Sequence, residues 1–223
     1  MKMSTKSCEY DAIPTKLLNK CLTGLLPLIT KVINASLENG KFISHWKEAI
    51  IRPLLKKPGL ELVTSNYRPV ILSKVLVQCC LVQFNAHCSR YKLLPDYQSA
   101  YRENYSCETA LIKLTDDFLN AMEHQKVTAL VAIDLSAAFD TVDHSILLSV
   151  LSKKFGVAGS ALKWFETYLY PRACKVNVGN SYSEVKDLKF SVPQGSCCGP
   201  FLYLAYASTI QEFVPNDMSA WLC

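Results

Sequence analysis

At 223 residues, half of them hydrophobic and 19% charged, the chain carries enough apolar material for a substantial core, which excludes an intrinsically disordered protein. The length suits one large or two small domains. The net charge of +5 is modest but uneven, since residues 1–70 hold eleven Lys and Arg against five Asp and Glu. Such a bias suits either a phosphate-facing subdomain or an ordinary solvated basic surface.

In chain order, the first residues lead into the polar CEYDAIPTK, with no apolar core ending in a small-residue cleavage site, so no signal peptide is expected. LLNKCLTGLLPLITKVI reads as an amphipathic helix, and Asn19, Lys20, Pro27 and Lys31 make it too polar and too broken to span a bilayer. Phe42 to Ala49 reads as a turn into a short helix or extended segment. Ile50 to Leu55 is an expected strand, stopped by the basic turn Lys56-Lys57-Pro58-Gly59. Asn66-Tyr67-Arg68-Pro69 should be extended, because Pro69 biases Arg68 away from the α region. Leu72 to Tyr91 and Ser106 to Met122 are expected helices, the second with Ser106 as its cap.

Val127 and the run Leu130 to Ile133 have the continuous apolar pattern of a strand covered on both faces, and the strand ends in Asp134. Helices are then expected over Asp143 to Phe155 and Ser160 to Leu169, with Pro171 closing the second. Cys174 to Val178 and Glu184 to Phe190 alternate around Gly179-Asn180, which suggests a hairpin with a loop longer than two residues. A last helix begins near Gly199-Pro200, where proline suits the first turn. Neither a repeat nor a Gly/Ser-rich linker divides the chain, and the mixture of helices with an antiparallel element is α+β.

Ten cysteines, from Cys8 to Cys223, include no CxxC pair, and the expectation is free thiols in an intracellular protein. His45, His87, His124 and His144 lack metal-ligand spacing and are assigned no role.

An ionised carboxylate at the end of a buried strand loses hydration worth several kcal/mol unless a cation or paired donors replace it. On the residues alone, Asp134 is therefore either a metal ligand or a helix N-cap ahead of Ser136, Ala137 and Ala138. Asp140 and Asp143 precede HSILLSVLSKKFG and are expected to cap that helix and complement its dipole.

Further on come Ser191-Val192-Pro193-Gln194-Gly195-Ser196 and the apolar helical run FLYLAYASTI. Together with VTALVAIDLSAAFDTVD, these segments resemble motifs B and A of reverse transcriptases, in particular those of non-LTR, LINE-type, jockey-like retrotransposons. The resemblance extends upstream, in the family's order, through DAIPTKLL, GKFISHWKEAIIRPLLKKPG, NYRPV, LSKVL and LLPDYQSAYRENYSCETALIKLTDDFLNAM. It covers the chain from Asp11 to about Pro215 and implies a right-hand polymerase fold, with fingers over 1–95 and part of a palm over 96–223.

The implied chemistry is Mg²⁺-dependent (Mn²⁺ also possible) RNA-templated DNA synthesis, in which two divalent ions about 3.5–4 Å apart clamp the attacking and leaving oxygens. The implied partners are an RNA template, a DNA primer and deoxynucleoside triphosphates, in the cytoplasm or nucleus, with no membrane association. By resemblance Asp134 is the first metal ligand and the backbone carbonyl of Leu135 a second oxygen donor. Phe139 stands at the steric gate that excludes a ribose 2′-hydroxyl, or is simply a buried aromatic. Gln194 and Gly195 support the incoming nucleotide, and Arg68 holds its triphosphate, a task suited to a guanidinium. Lys56 and Lys57 are candidate phosphate contacts, and in QSAYR Tyr101 and Arg102 are candidate template contacts.

Several departures bear on activity. Ser191 stands where the family has Gly, and a serine at positive φ would be strained. The stretch between Pro69 and Leu72 is shorter than usual. The chain also reads AWLC where the family continues to motif C and its Asp pair, so one carboxylate would have to hold two mutually repelling ions. The expectation is a reverse transcriptase fragment that is inactive alone, with a non-catalytic RNA-binding remnant and a degenerate chain as competing readings. Oligomeric state is not legible.

Overall fold

The computed structural model describes residues 20–54, 63–67, 71–95, 98–102, 104–133, 135, 138–178, 181–192 and 197–215. Helix α1, Leu22–Glu38, occupies the stretch expected to be amphipathic. Leu25, Ile29, Ile33 and Leu37 are half-buried along one face, and Ser36 is buried and accepts a hydrogen bond from the Trp164 indole over 3.1 Å. The chain then turns at Gly40, whose φ of +60° and whose position against the Ser160 carbonyl leave no room for a side chain, since a Cβ there would lie 2.6 Å from that oxygen.

Strand β1, Glu48–Leu54, follows a single 3₁₀ turn over Ser44–Trp46. It pairs antiparallel with β2, Val63–Tyr67, in a register running from Ile50 opposite Tyr67 to Leu54 opposite Val63. The first matches the strand expected over Ile50 to Leu55, whereas of the second only the extended Asn66-Tyr67 was expected. On its other side β1 pairs parallel with β3, Arg172–Val178, aligning Glu48 with Ala173 and Ile51 with Val176. A parallel pair needs a long crossover, and this one carries α2 over Ile71–Arg90, α3 over Cys107–Glu123, α4 over His144–Lys153 and α5 over Gly159–Leu169. Strands β4, Ser181–Tyr182, and β5, Lys186–Leu188, both return along β3.

The hairpin differs from its expected form. Val178 pairs with Ser181, so only residues 179 and 180 separate the two strands, where a longer loop was expected. Asn177 pairs with Tyr182 and Cys174 with Lys186, which sets three steps on β3 against four on the return strand. The extra residue is a β-bulge, which bends the strand without lengthening the turn.

The larger correction concerns residues 126–133. The expected doubly covered strand has not formed: none of these residues belongs to a strand, and Val127, Val131 and Ile133 are 100%, 79% and 78% exposed. An extended segment is stabilised by hydrogen bonds to a neighbour. The described strands pair among themselves elsewhere, and apolar composition by itself supplies no partner.

The core forms around Phe84 of α2. Its ring lies 4.9 Å from Phe201, 5.3 Å from Phe165 and 5.9 Å from Phe155. The residues Leu76, Val77, Cys80, Phe84 and Cys88 form the buried stripe of α2 at helical spacing. Phe201 belongs to α6, Gly199–Ala207, which starts at the expected place with Pro200 in its first turn. A second aromatic group joins α1 to α5, with Phe42 edge-on to Trp164 at 5.6 Å and to Tyr168 at 5.1 Å. Among the described residues no disulfide links the cysteines, and no helix is long and apolar enough to cross a membrane.

Candidate functional site

Helix α4 sets the frame of the site. Asp143 is its N-cap, with its carboxylate accepting from the amides of Ser145 at 2.8 Å and Ile146 at 3.0 Å. The hydroxyl of Ser145 and then the Ile146 amide hold the Asp143 carboxyl below the usual aspartate range. Asp143 thus takes the expected capping role, whereas Asp140 lies exposed in the preceding turn and does not cap. Leu147 and Leu151, both at zero exposure, seat α4 in the core.

Against the start of α4 lies the segment that leads into Pro193. Asp143 and Phe190 form a β-bridge. The Ser191 amide donates to the Val142 carbonyl over 3.0 Å, and the Val192 amide to the Phe139 carbonyl over 2.9 Å. The His144 imidazole donates from Nε2 to the Ser191 carbonyl over 2.7 Å. Residues 139–144 and 190–192 are thereby joined as one surface. Ser191 adopts φ +92°, the left-handed strain expected where the family has Gly.

Phe139 is half-buried, its ring 5.0 Å from that of Tyr203 on α6 and tilted 36° to it. Its packing therefore satisfies the buried-aromatic reading, which a steric gate also requires because a gate must be held in place. Burial, and then the phenol of Tyr101, raise the Tyr203 hydroxyl above the usual tyrosine range. Tyr101, in the QSAYR segment, is 62% exposed with φ +50°.

Arg102 is placed otherwise. Its guanidinium donates to the carbonyls of Pro95 at 3.1 Å and Gln98 at 3.5 Å and lies 4.3 Å from the Tyr105 ring centre. It braces its own turn, while Gln98 is fully buried. Leu135 is described and half exposed. Asp134, Arg68, Lys56, Lys57, Gln194 and Gly195 lie outside the described residues.

Tyr203 and His144 were missed as site residues. Tyr203 was visible only as one member of an apolar helical run. His144 lacked ligand spacing, and nothing in its own neighbourhood announces a contact to residue 191.

A family model described as reverse transcriptase (RNA-dependent DNA polymerase) matches residues 55–220, a span that contains every candidate site residue from Lys56 to Gly195. The chain belongs to the reverse transcriptase family. Its relatives place it near the jockey-like retrotransposon polymerases, as the motifs implied. A probable RNA-directed DNA polymerase from transposon BS of Drosophila melanogaster is 32% identical over 80% of this chain and 20% of that protein. The RNA-directed DNA polymerase from mobile element jockey of the same organism is 27% identical over 85% of this chain and 21% of its own length. A probable RNA-directed DNA polymerase from transposon X-element is 26% identical over 94% and 23% respectively. This reverse transcriptase chain spans about a fifth of the length of the curated relatives it matches.

Proposed function

We propose that the chain supplies the fingers (residues 1–95) and part of the palm (residues 96–223) of the RNA-directed DNA polymerase of a non-LTR retrotransposon. The observation that carries this reading is the joining of residues 139–144 to 190–192, because it sets Phe139 beside the entry to Gln194 and Gly195. A polymerase needs that adjacency. One segment must limit the space at the sugar while the other supports the nucleotide.

The donor set suits a divalent ion: the Asp134 carboxylate and the Leu135 carbonyl are hard oxygen ligands of the kind Mg²⁺ or Mn²⁺ takes. Among the described residues no group of three or more His, Cys, Asp or Glu forms another such centre. When bound, the ions neutralise triphosphate charge and activate the primer hydroxyl. The protein's own residues then divide the remaining work. Arg68 grips the triphosphate, with Lys56 and Lys57 as further phosphate contacts. The Phe139 ring, backed by Tyr203, excludes a 2′-hydroxyl. Gln194 and Gly195 carry the base and sugar, and Tyr101, which is exposed, stacks on template.

A chimera tests this reading. Residues 55–220 replace the matching segment of the jockey polymerase, and TTP incorporation on an RNA template with a DNA primer is measured. Incorporation should survive the exchange and vanish with Asp134→Ala. If the Asp134→Ala chimera still extends primers, the assignment is wrong. The second reading, an RNA-binding remnant, draws on the eleven basic against five acidic residues in positions 1–70. It requires RNA affinity whose logarithm falls linearly with the logarithm of salt.

A further inference from the structure

We propose that His144 is a positioning residue for the loop that leads into Gln194 and Gly195. Its Nε2–H holds the Ser191 carbonyl over 2.7 Å and so fixes Ser191 and Val192 against Phe139. The inference rests on the reading of Gln194 and Gly195 as nucleotide-supporting residues.

The imidazole is itself rigidly held. His144 is the first residue of α4, only 7% exposed, behind an Asp143 cap and ahead of the wholly buried Leu147. A carbonyl can only accept, so the proton lies on Nε2. The other ring nitrogen, Nδ1, is buried with no hydrogen-bond partner among the described residues. A side chain that merely filled this space would do better as an apolar one, because an unpartnered buried nitrogen costs stability that an aliphatic group does not. What the histidine adds is the bond to Ser191.

That bond acts where the backbone most needs holding. Ser191 sits at φ +92°, a conformation L-residues rarely adopt unless their surroundings impose it. Its amide is held by Val142, its carbonyl by His144, and the next amide by Phe139. Loss of the His144 bond leaves the 191–192 peptide held from its amide sides alone and able to relax toward negative φ. The Val192 backbone would then be free to move away from Phe139.

Two amide variants of the full 223-residue chain test the proposal. The Nε2 of Gln in His144→Gln reaches the same place as that of histidine, whereas His144→Asn offers the same chemistry on a shorter stem. Amide hydrogen exchange at Val192, read against α4 and α5, reports the loop. TTP binding in the presence of Mg²⁺, measured with the same substitutions in the jockey chimera, reports its consequence.

His144→Asn should speed exchange at Val192 and weaken TTP binding, each about fivefold, the factor that corresponds to one net hydrogen bond. His144→Gln should restore both. Unchanged exchange at Val192, a uniform rise across α4 and α5, no rescue by glutamine, or faster exchange with unaltered TTP affinity would each overturn the proposal. If the unmutated chimera fails to bind TTP, the nucleotide reading of the loop fails, and the exchange data then judge the His144 bond by themselves.

Discussion

The amide of Val192 donates to the carbonyl oxygen of Phe139 over 2.9 Å, although α4, α5 and a β-hairpin separate the two residues in the chain. The bond sets Val192, at the entry to the second motif, directly on the turn that ends the first. Both residues also face the core, with Val192 wholly buried and Phe139 packed on Tyr203. The site is thus built from backbone contacts that many side chains would tolerate, plus a few side chains that fix its geometry.

Ser191 is the strained member of this junction. Ser191→Gly removes the Cβ that opposes φ +92°, a relief of roughly 1–3 kcal/mol. It also adds unfolded-state freedom costing roughly 0.5–1 kcal/mol. The variant should therefore gain about 1 kcal/mol in urea unfolding. A loss of stability would show that the serine side chain contributes more than its backbone conformation costs.

Asp143 makes α4 sensitive to acid. Its carboxyl is depressed in the folded chain by the Ser145 hydroxyl and the Ile146 amide. Its contribution is therefore present above the ordinary aspartate pKa and is lost as pH falls through the lower folded value. Asp143→Ala should lower Tm at pH 7, and the gap between variant and parent should close below about pH 4. A gap independent of pH would mean that the carboxylate is not the capping species.

The thiols should separate by environment. Burial pushes Cys88 up to about 12 and raises Cys174 above the usual thiol range. The neutral thiol is the form the fold favours, so this contribution holds below the ordinary thiol pKa and fades as pH climbs toward 12. At pH 8 iodoacetamide should modify the exposed Cys21 and Cys107 and leave Cys88 and Cys174 unmodified until the chain unfolds. Peptide mapping that finds Cys88 alkylated in the folded protein would contradict the α2 packing.

The exposed apolar run should drive association. Val131 and Ile133 are 79% and 78% exposed, and extended apolar backbone that lacks a strand partner recruits other chains. The double variant Val131→Thr, Ile133→Thr should reduce hydrophobic-dye fluorescence and narrow the size-exclusion peak. Its unfolding free energy should change by no more than about 0.5 kcal/mol, as for other surface substitutions. A large fall in Tm would show that the run is covered in solution.

The sequence by itself determined the features whose causes lie within a few residues. Ser106 caps α3 as expected, and its hydroxyl and that of Thr109 each accept the other's amide. Pro200 opens α6, and Asp143 caps α4. The strain at Ser191 was legible through the resemblance, which sets a serine where the family has Gly, and left-handed backbone penalises any Cβ. Motif order was sufficient to name the family, because the segments that carry it are long and contiguous.

Tertiary structure decided what depends on distant partners. The parallel pairing of β1 with β3 has no local signature, because four helices separate the two strands in the chain. The apolar run at 126–133 reads as a buried strand, yet its state depends on a neighbour that its own residues cannot supply. Tyr203 behind Phe139, and His144 on the Ser191 carbonyl, became site residues only through the folding of α4 and α6 against each other. Caps and turns are short-range hydrogen bonds and steric limits, readable within a few residues. Pairings and ring contacts are long-range, and only the packed core decides which distant groups meet.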